Sequence, residues 1–226
     1  MPPPGLSGPP AAVLFDLDGT LVDSAPDLAG TANEMRRRRG LDPLSFERLR
    51  ARAGSGARGM LAVAFGLAPG EAGYAPLRDE FHELYERRML DATSVFDAIA
   101  PVLAALDAHG LAWGIVTNKA LRFAEPMAGA LGLLPRAAVL VGGDSTPHLK
   151  PHPAPLLEAA RRLDLAPGRC IYVGDDPRDI AAGCAAGMAA WAAAWGYLGP
   201  EGDPRDWGAH AVLDVPHEVL QLLDLA

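Results

Sequence analysis

Two aspartates, Asp16 and Asp18, close the apolar run VLF (13–15), and Asp23 follows within the same stretch, DLDGTLVDS. Burying one unpaired carboxylate costs several kcal/mol, and two close together also repel each other. A divalent cation lying among them offsets that cost. Other polar residues stand at comparable places. Thr117 and Asn118 follow the apolar run at 111–116, and Asp175 and Asp176 follow CIYVG, with Asp179 one helical turn later. Lys150 opens KPHPAP just before a helix-like segment. Taken singly, DxD reads as a turn, TN as a helix cap and KPHPAP as a helix start. Gathered at one edge of a sheet, they read as a site.

The chemistry such a set performs is phosphoryl transfer. Hard oxygen ligands with room for waters and a phosphate oxygen suit Mg²⁺. Asp16 and Asp175 would bind it through their side chains and Asp18 through its backbone carbonyl. A carboxylate in line with phosphorus acts as a nucleophile and forms an aspartyl-phosphate that water hydrolyses. Lys150, the Thr117 hydroxyl and loop N–H groups would neutralise the spreading charge. Asp18, two residues beyond Asp16, is placed to protonate the leaving alkoxide and then to accept a proton from water. A calcium-loop reading of DLDGT fails, because the remaining ligands of such a loop are missing.

The elements that must hold these residues alternate. Strand candidates are 11–17, 111–117, 137–143, 169–175, 188–194 and 211–215, and helical patterns cover 119–131, 153–164 and 176–186. Alternation of this kind predicts an α/β fold, a doubly wound parallel sheet with right-handed crossovers and helices on both faces. Ligands bind such sheets outside the carboxyl ends of the strands. Residues 24–95 show only helical periodicity, as in YAPLRDEFHELYERRML. They are expected to form a small helical domain of their own, with 1–23 and 96–226 forming the core domain.

Composition narrows the class. The 226 residues are 50% hydrophobic and 21% charged, enough for one sizeable core. A net charge of −8 argues against nucleic acid or anionic membrane as partner. The basic run Arg36 to Arg39 precedes Gly40 and reads as a helix end. Cys170 and Cys184 fit neither a zinc spacing nor a disulfide framework and are expected as reduced, buried thiols. MPPPGLSGPP has no signal-peptide pattern and is expected as a loose tail. No apolar run reaches membrane-spanning length. The expected setting is cytoplasmic, the expected partner a small phosphorylated metabolite, and the expected state a monomer or homodimer.

With these residues in hand, the chain resembles the haloacid dehalogenase-like (HAD) phosphohydrolase superfamily. DLDGTLVDS, VTNK, LKPHPAP and GDDPRDI match its four motifs in order. Within it the chain looks like the bacterial phosphoglycolate phosphatases. GARGMLAVAFG, TNKALRFAEP and GYLGPEGDPRDWGAHAVLD are similar to the branch that includes N-acetylmuramic acid 6-phosphate phosphatase. The resemblance implies a Rossmann-like core with a small all-helical cap inserted after the first strand. It implies Asp16 as nucleophile, Asp18 as acid/base, Thr117 and Lys150 as phosphate binders, Asp175 as metal ligand and Asp179 as an outer acidic group. Asp176 stays open between a helix cap and a metal ligand. An aspartate at position 18 points to phosphomonoester hydrolysis or to sugar-phosphate mutase chemistry, since dehalogenases carry none there. SVFDAIAPV (94–102) departs from the Pro-Gly turn that many relatives place between cap and core.

Substrate choice is expected to come from the helical insert, closing over the phosphate site. Arg52 and Arg58, flanking the AGSG turn, are its candidates for a substrate carboxylate, with Asn118 beside the phosphate. The six histidines form no metal spacing and read as surface or packing residues, and Trp113, Trp191 and Trp195 as core. The expected activity is a Mg²⁺-dependent phosphatase, with 2-phosphoglycolate as first substrate and N-acetylmuramic acid 6-phosphate as the alternative. A phosphomutase and a non-catalytic phosphate-binding protein are the remaining rivals.

Overall fold

A strand buried along its whole length needs cover on both faces, and Ala12–Phe15 (β1) is buried at all four residues. The structure, a computed structural model, describes residues 3–6, 8–199 and 202–225. After β1 come Val22–Asp23 (β2) and four helices, Ala25–Arg38 (α1), Phe46–Arg50 (α2), Gly56–Phe65 (α3) and Tyr74–Arg88 (α4). The chain returns through Ser94–Val95 (β3) and continues as Ile99–Ala108 (α5), Ala112–Val116 (β4), Leu121–Ala130 (α6) and Leu140–Val141 (β5). Ala154–Arg162 (α7), Cys170–Gly174 (β6), Pro177–Ala185 (α8), Ala189–Ala193 (β7), Ala211–Leu213 (β8) and Glu218–Leu222 (α9) complete it.

Six strands form one parallel sheet in the order β5-β4-β1-β6-β7-β8. Phe15 lies opposite Ile115 on one side and Val173 on the other. The carboxyl ends of β1, β4 and β6 therefore share one edge. The chain leaves β1 toward β4 and later returns to its other side as β6, so β1 lies at the switch point where such sheets bind ligands.

Side chains alternate across the sheet. Val13, Phe15, Trp113, Ile115 and Val173 join one cluster with Val102 of α5, Met127 of α6 and Leu220 of α9. Leu14, Val116 and Tyr172 join another with Leu156 and Ala159 of α7 and Ala182 of α8. Both faces are covered, as the doubly wound expectation requires. Apolar residues of the insert, among them Leu28, Met35, Met60 and Phe81, run continuously into the first cluster.

Several expectations need correction. The strand expected at 137–143 shrinks to Leu140–Val141, although Ala138 N still donates to Trp113 O and Ile115 N to Val139 O. The segment 24–95 is not purely helical, since β3 pairs antiparallel with β2. Phe96 N extends that ladder to Leu21 O, so SVFDAIAPV begins as a strand in place of a Pro-Gly turn. The buried Asp27 closes the same junction: its Oδ2 accepts from Ala92 N, Thr93 N and Thr93 Oγ1 at 2.8–3.0 Å. The described part of the N-terminal segment is not loose, because Leu6 is buried and Pro4 O accepts from Trp191 Nε1 at 2.9 Å. Residues 1, 2 and 7 of that segment lie outside the described residues. Both cysteines are free, but Cys184 is exposed because Ala182 and Gly183 take the buried positions of that turn of α8. Trp113 and Trp191 are buried, whereas Trp195 is half-buried and donates to Thr20 O.

Candidate active site

Asp16 follows β1 directly, and its N–H donates to Val173 O, which fixes it at the sheet edge beside the end of β6. There Asp175 is 3% exposed and Asp179 1% exposed. One carboxylate oxygen from each of Asp16, Asp175 and Asp179 lies within 4.8 Å of the others, a set that could hold a metal ion. Two glycines permit this packing. Gly19 has φ +88°, and a Cβ there would fall 2.2 Å from Asp175 Oδ2; one at Gly196 would fall 2.2 Å from Asp175 Cβ. Thr20 Oγ1 and Tyr197 N donate to Asp175 at 3.0 and 2.8 Å. Burial, then the charges of Asp16 and Asp179, pushes the Asp175 pKa well above the carboxylate range. Burial raises Asp179 as well, against the pull of Lys150.

Lys150 is the cation of this floor. Its Nζ lies 2.9 Å from Asp16 Oδ1 and 2.7 Å from Asp179 Oδ1, and donates to Tyr172 Oη and Val116 O. Burial alone would lower its pKa, but the charges of Asp16 and Asp179 outweigh that and hold it above its ordinary value. With all three acids ionised, three carboxylates against one ammonium leave two negative charges, an excess that a divalent cation matches in place of protons. Thr117 is buried at the end of β4, and its Oγ1 accepts from Lys119 N.

Asn118 borders the same cavity as Asp16, Thr117 and Lys150, and its amide has a further, positioning role. Its Nδ2 donates to Lys150 O and its Oδ1 accepts from Lys150 N, so both ends of the amide hold the lysine's backbone. Asp176 lies outside the acidic trio: it caps α8 in a capping box with Asp179 and is gripped by Arg178 at 2.7 Å. Asp179, expected farther out, has an oxygen inside the trio. The Asp18 carboxylate points elsewhere, accepting from Lys119 Nζ at 3.0 and 3.1 Å and from Ser24 Oγ.

A cavity of about 500 Å³ opens over this floor. Arg58 borders it, whereas Arg52 does not and faces a shallow cleft of about 10 Å³ beside Tyr197. The insert adds His82 and Tyr85 to the cavity wall, and α6 adds Arg122 and Phe123. Tyr85 Oη accepts from Lys119 Nζ at 2.8 Å, so one ammonium joins the insert to Asp18. Burial pushes the Tyr85 hydroxyl up to about 12. A second link runs from Arg178 Nη2 to Gly54 O at 2.9 Å.

Ser24 occupies the N-cap position of α1, yet its hydroxyl goes to Asp18. The Tyr197 hydroxyl, from the far end of the chain, accepts from the N-cap amide Ser24 N and the first helical amide Ala25 N. Sequence reasoning missed Lys119, Tyr85, His82, Arg122 and Tyr197. Lys119 ends VTNK, and Arg122 and Tyr197 fall within TNKALRFAEP and GYLGPEGDPRDWGAHAVLD, but none of these segments marks which side chain enters a site; His82 and Tyr85 stand on a helix face where spacing says nothing of one.

Comparison with known proteins agrees with this geometry. A family model described as haloacid dehalogenase-like hydrolase matches residues 10–187. N-acetylmuramic acid 6-phosphate phosphatase of Pseudomonas aeruginosa is 44% identical over 215 residues, covering 95% of either chain. Phosphoglycolate phosphatase of Xanthomonas campestris pv. campestris is 46% identical over 210 residues, covering 93% of this chain and 95% of its own. A crystal structure of a predicted phosphoglycolate phosphatase from Haemophilus somnus superposes with TM-score 0.84 at 27% identity, over 96% of this chain and 99% of that one. No helix among the described residues is long and apolar enough to cross a membrane. With the sheet, its switch-point acids and these relatives in agreement, the chain belongs to the haloacid dehalogenase-like hydrolase family and is a phosphatase of that family.

Proposed function

We propose that the chain is a Mg²⁺-dependent phosphomonoesterase that works through an aspartyl-phosphate on Asp16. The observation that carries this reading is the acidic trio with Lys150 in its midst, opening on one cavity. Asp16, Asp175 and Asp179, with the Asp18 carbonyl, would hold the ion, which when bound screens phosphate charge from the carboxylates. An Asp16 oxygen attacks phosphorus, the ester P–O bond breaks, and the leaving oxygen takes a proton from Asp18. Water then attacks the phosphorus of the aspartyl-phosphate and gives a proton to Asp18. Inorganic phosphate leaves and the Asp16 carboxylate is restored. Lys150 and the Thr117 hydroxyl stabilise the charge on the equatorial oxygens, and Asn118 keeps Lys150 in place. The helical segment 24–95 acts as a cap on a core of 1–23 and 96–226, excluding water through its contacts at Tyr85 and Gly54.

The substrate is a small phosphorylated acid. The cavity of about 500 Å³ is far larger than a two-carbon acid and suits a sugar-sized one, with Phe81, Tyr85, Phe123 and Leu149 as apolar contacts. This size favours N-acetylmuramic acid 6-phosphate over 2-phosphoglycolate, the substrate first expected. The second reading is kept because a relative of 46% identity carries the name phosphoglycolate phosphatase. Phosphate release from both esters with Mg²⁺ present, compared by kcat/KM, tests the order. A higher value for the amino-sugar ester is expected; a higher value for phosphoglycolate reverses it, and activity on neither removes the reading.

A further inference from the structure

A phosphorylated acid brings two anionic groups into the cavity, and the floor provides for one of them. Of the cations around the cavity, Lys119 is paired with Asp18, Lys150 with Asp16 and Asp179, and Arg178 with Asp176. Arg58 and Arg122 have no carboxylate partner among the described residues. The two differ in how they are held. Arg58 has no polar or aromatic partner there. Arg122 Nη2 lies 3.1 Å from His82 Nδ1, and its guanidinium carbon sits 4.4 Å from the centroid of the Phe123 ring.

A guanidinium only donates, so His82 Nδ1 accepts and the imidazole carries its proton on Nε2. Burial, with the charges of Arg122 and Arg78, holds His82 below its ordinary pKa, so the ring stays an acceptor at neutral pH. The ring is fixed in turn, tilted against Phe123 at 5.5 Å and edge-on to Phe81 at 6.3 Å. Arg122 is thus braced through one nitrogen and one face, with the rest of its donor fork turned to no carboxylate among the described residues. A planar fork held this way binds a carboxylate bidentately with little ordering left to lose.

We infer that Arg122 of α6, braced by His82 of α4, receives the carboxylate of the substrate while the phosphate lies against the floor. This rests on the reading of the substrate as a phosphorylated acid. The subsite is composite, since its cation comes from the sheet's flanking helix and its brace from the insert. It therefore forms only when the two are apposed, which couples recognition of the acid to closure of the cavity.

The test pairs each acid with a carboxylate-free analogue: N-acetylmuramic acid 6-phosphate with N-acetylglucosamine 6-phosphate, and 2-phosphoglycolate with ethyl phosphate. The unaltered enzyme is expected to prefer the acid of at least one pair. In Arg122→Ala the acid-over-analogue ratio of kcat/KM in that pair falls about 10- to 100-fold, mostly through KM, as for a lost charged hydrogen bond. Arg122→Lys keeps the charge without the fork and falls between. His82→Leu, which removes the brace, lowers the ratio less than Arg122→Ala, and His82→Gln, which keeps an acceptor, recovers part of it. A clear acid preference that survives Arg122→Ala overturns this inference and leaves the substrate reading intact. No acid preference in the unaltered enzyme overturns both.

Discussion

On the floor of the cavity every cation meets an acid of the same chain: Lys150 meets Asp16 and Asp179, and Arg178 meets Asp176. On the wall above, Arg58 and Arg122 meet none among the described residues, and His82 and Tyr85 line the same cavity. The floor holds its charges in a buried, internally bonded set, which suits a step whose charge pattern is the same for every phosphate ester. The wall leaves its charges for whatever enters. On the proposed reading, reaction and selection fall to different regions, and substitutions in the two should fail differently.

The largest effect belongs to the floor. Asp16→Asn should reduce phosphate release on the order of 10⁴-fold or more for every ester tried, acid or neutral, because the nucleophile itself is lost. The melting temperature in a chelator should hold or rise, since one of three repelling carboxylates is gone. Ordinary turnover in this variant would remove Asp16 as nucleophile. Loss confined to acidic esters would erase the division between floor and wall.

Removing the ion probes the same region by stability. The folded chain keeps protons on Asp175 and Asp179 that the unfolded chain loses at ordinary carboxylate pH, because both pKa values are raised. Their contribution is full below about pH 4 and is lost as pH rises through the folded values. The chelated protein should therefore melt lower at pH 8 than at pH 5. At the proposed site Mg²⁺ would take the place of those protons, so its stabilisation should grow with pH. At a hundredfold excess over Kd it adds about 2.7 kcal/mol, or roughly 5–10 °C for a chain of this size. An equal increment at pH 5 and pH 8, or none at either, would sink the proposed site.

The same division decides what the sequence could tell. The floor is written in short segments that follow strands: Asp16, Thr117 and Asp175 each stand at a strand's carboxyl end, and the strand pattern alone brings them to one edge. Asp179 was readable as one turn beyond Asp175, but its depth in the trio was not, because that depends on a capping box with Asp176. The wall was largely unreadable. His82 and Tyr85 share one face of α4, and nothing in YAPLRDEFHELYERRML separates a helix face turned to a cavity from one turned to a core. Arg52 and Arg58 are alike in sequence, flanking the same turn; the Ala53–Ser55 turn sends only Arg58 to the main cavity. Tyr197 is the sharpest case. It caps α1 from 172 residues away, and no local pattern records that.

Lys119 joins the two regions, with Asp18 below its ammonium and Tyr85 beside it. Removing its head should be felt as a floor defect. Lys119→Met frees the Asp18 carboxylate from two of its bonds and should lower kcat about 10- to 100-fold for acidic and neutral esters alike. Tyr85→Phe keeps the ring, the apolar contact and the Lys119–Asp18 pair, and removes a single hydroxyl. Its cost should be the smallest, ~2- to 10-fold. If that loss appears in KM of the larger ester, the hydroxyl serves closure of the insert; if it appears in kcat for every ester, it serves the orientation of Asp18. Equal losses in the two variants would mean that Lys119 cannot hold Asp18 without the insert. The floor would then be incomplete until the wall closes, and the two regions would act as one.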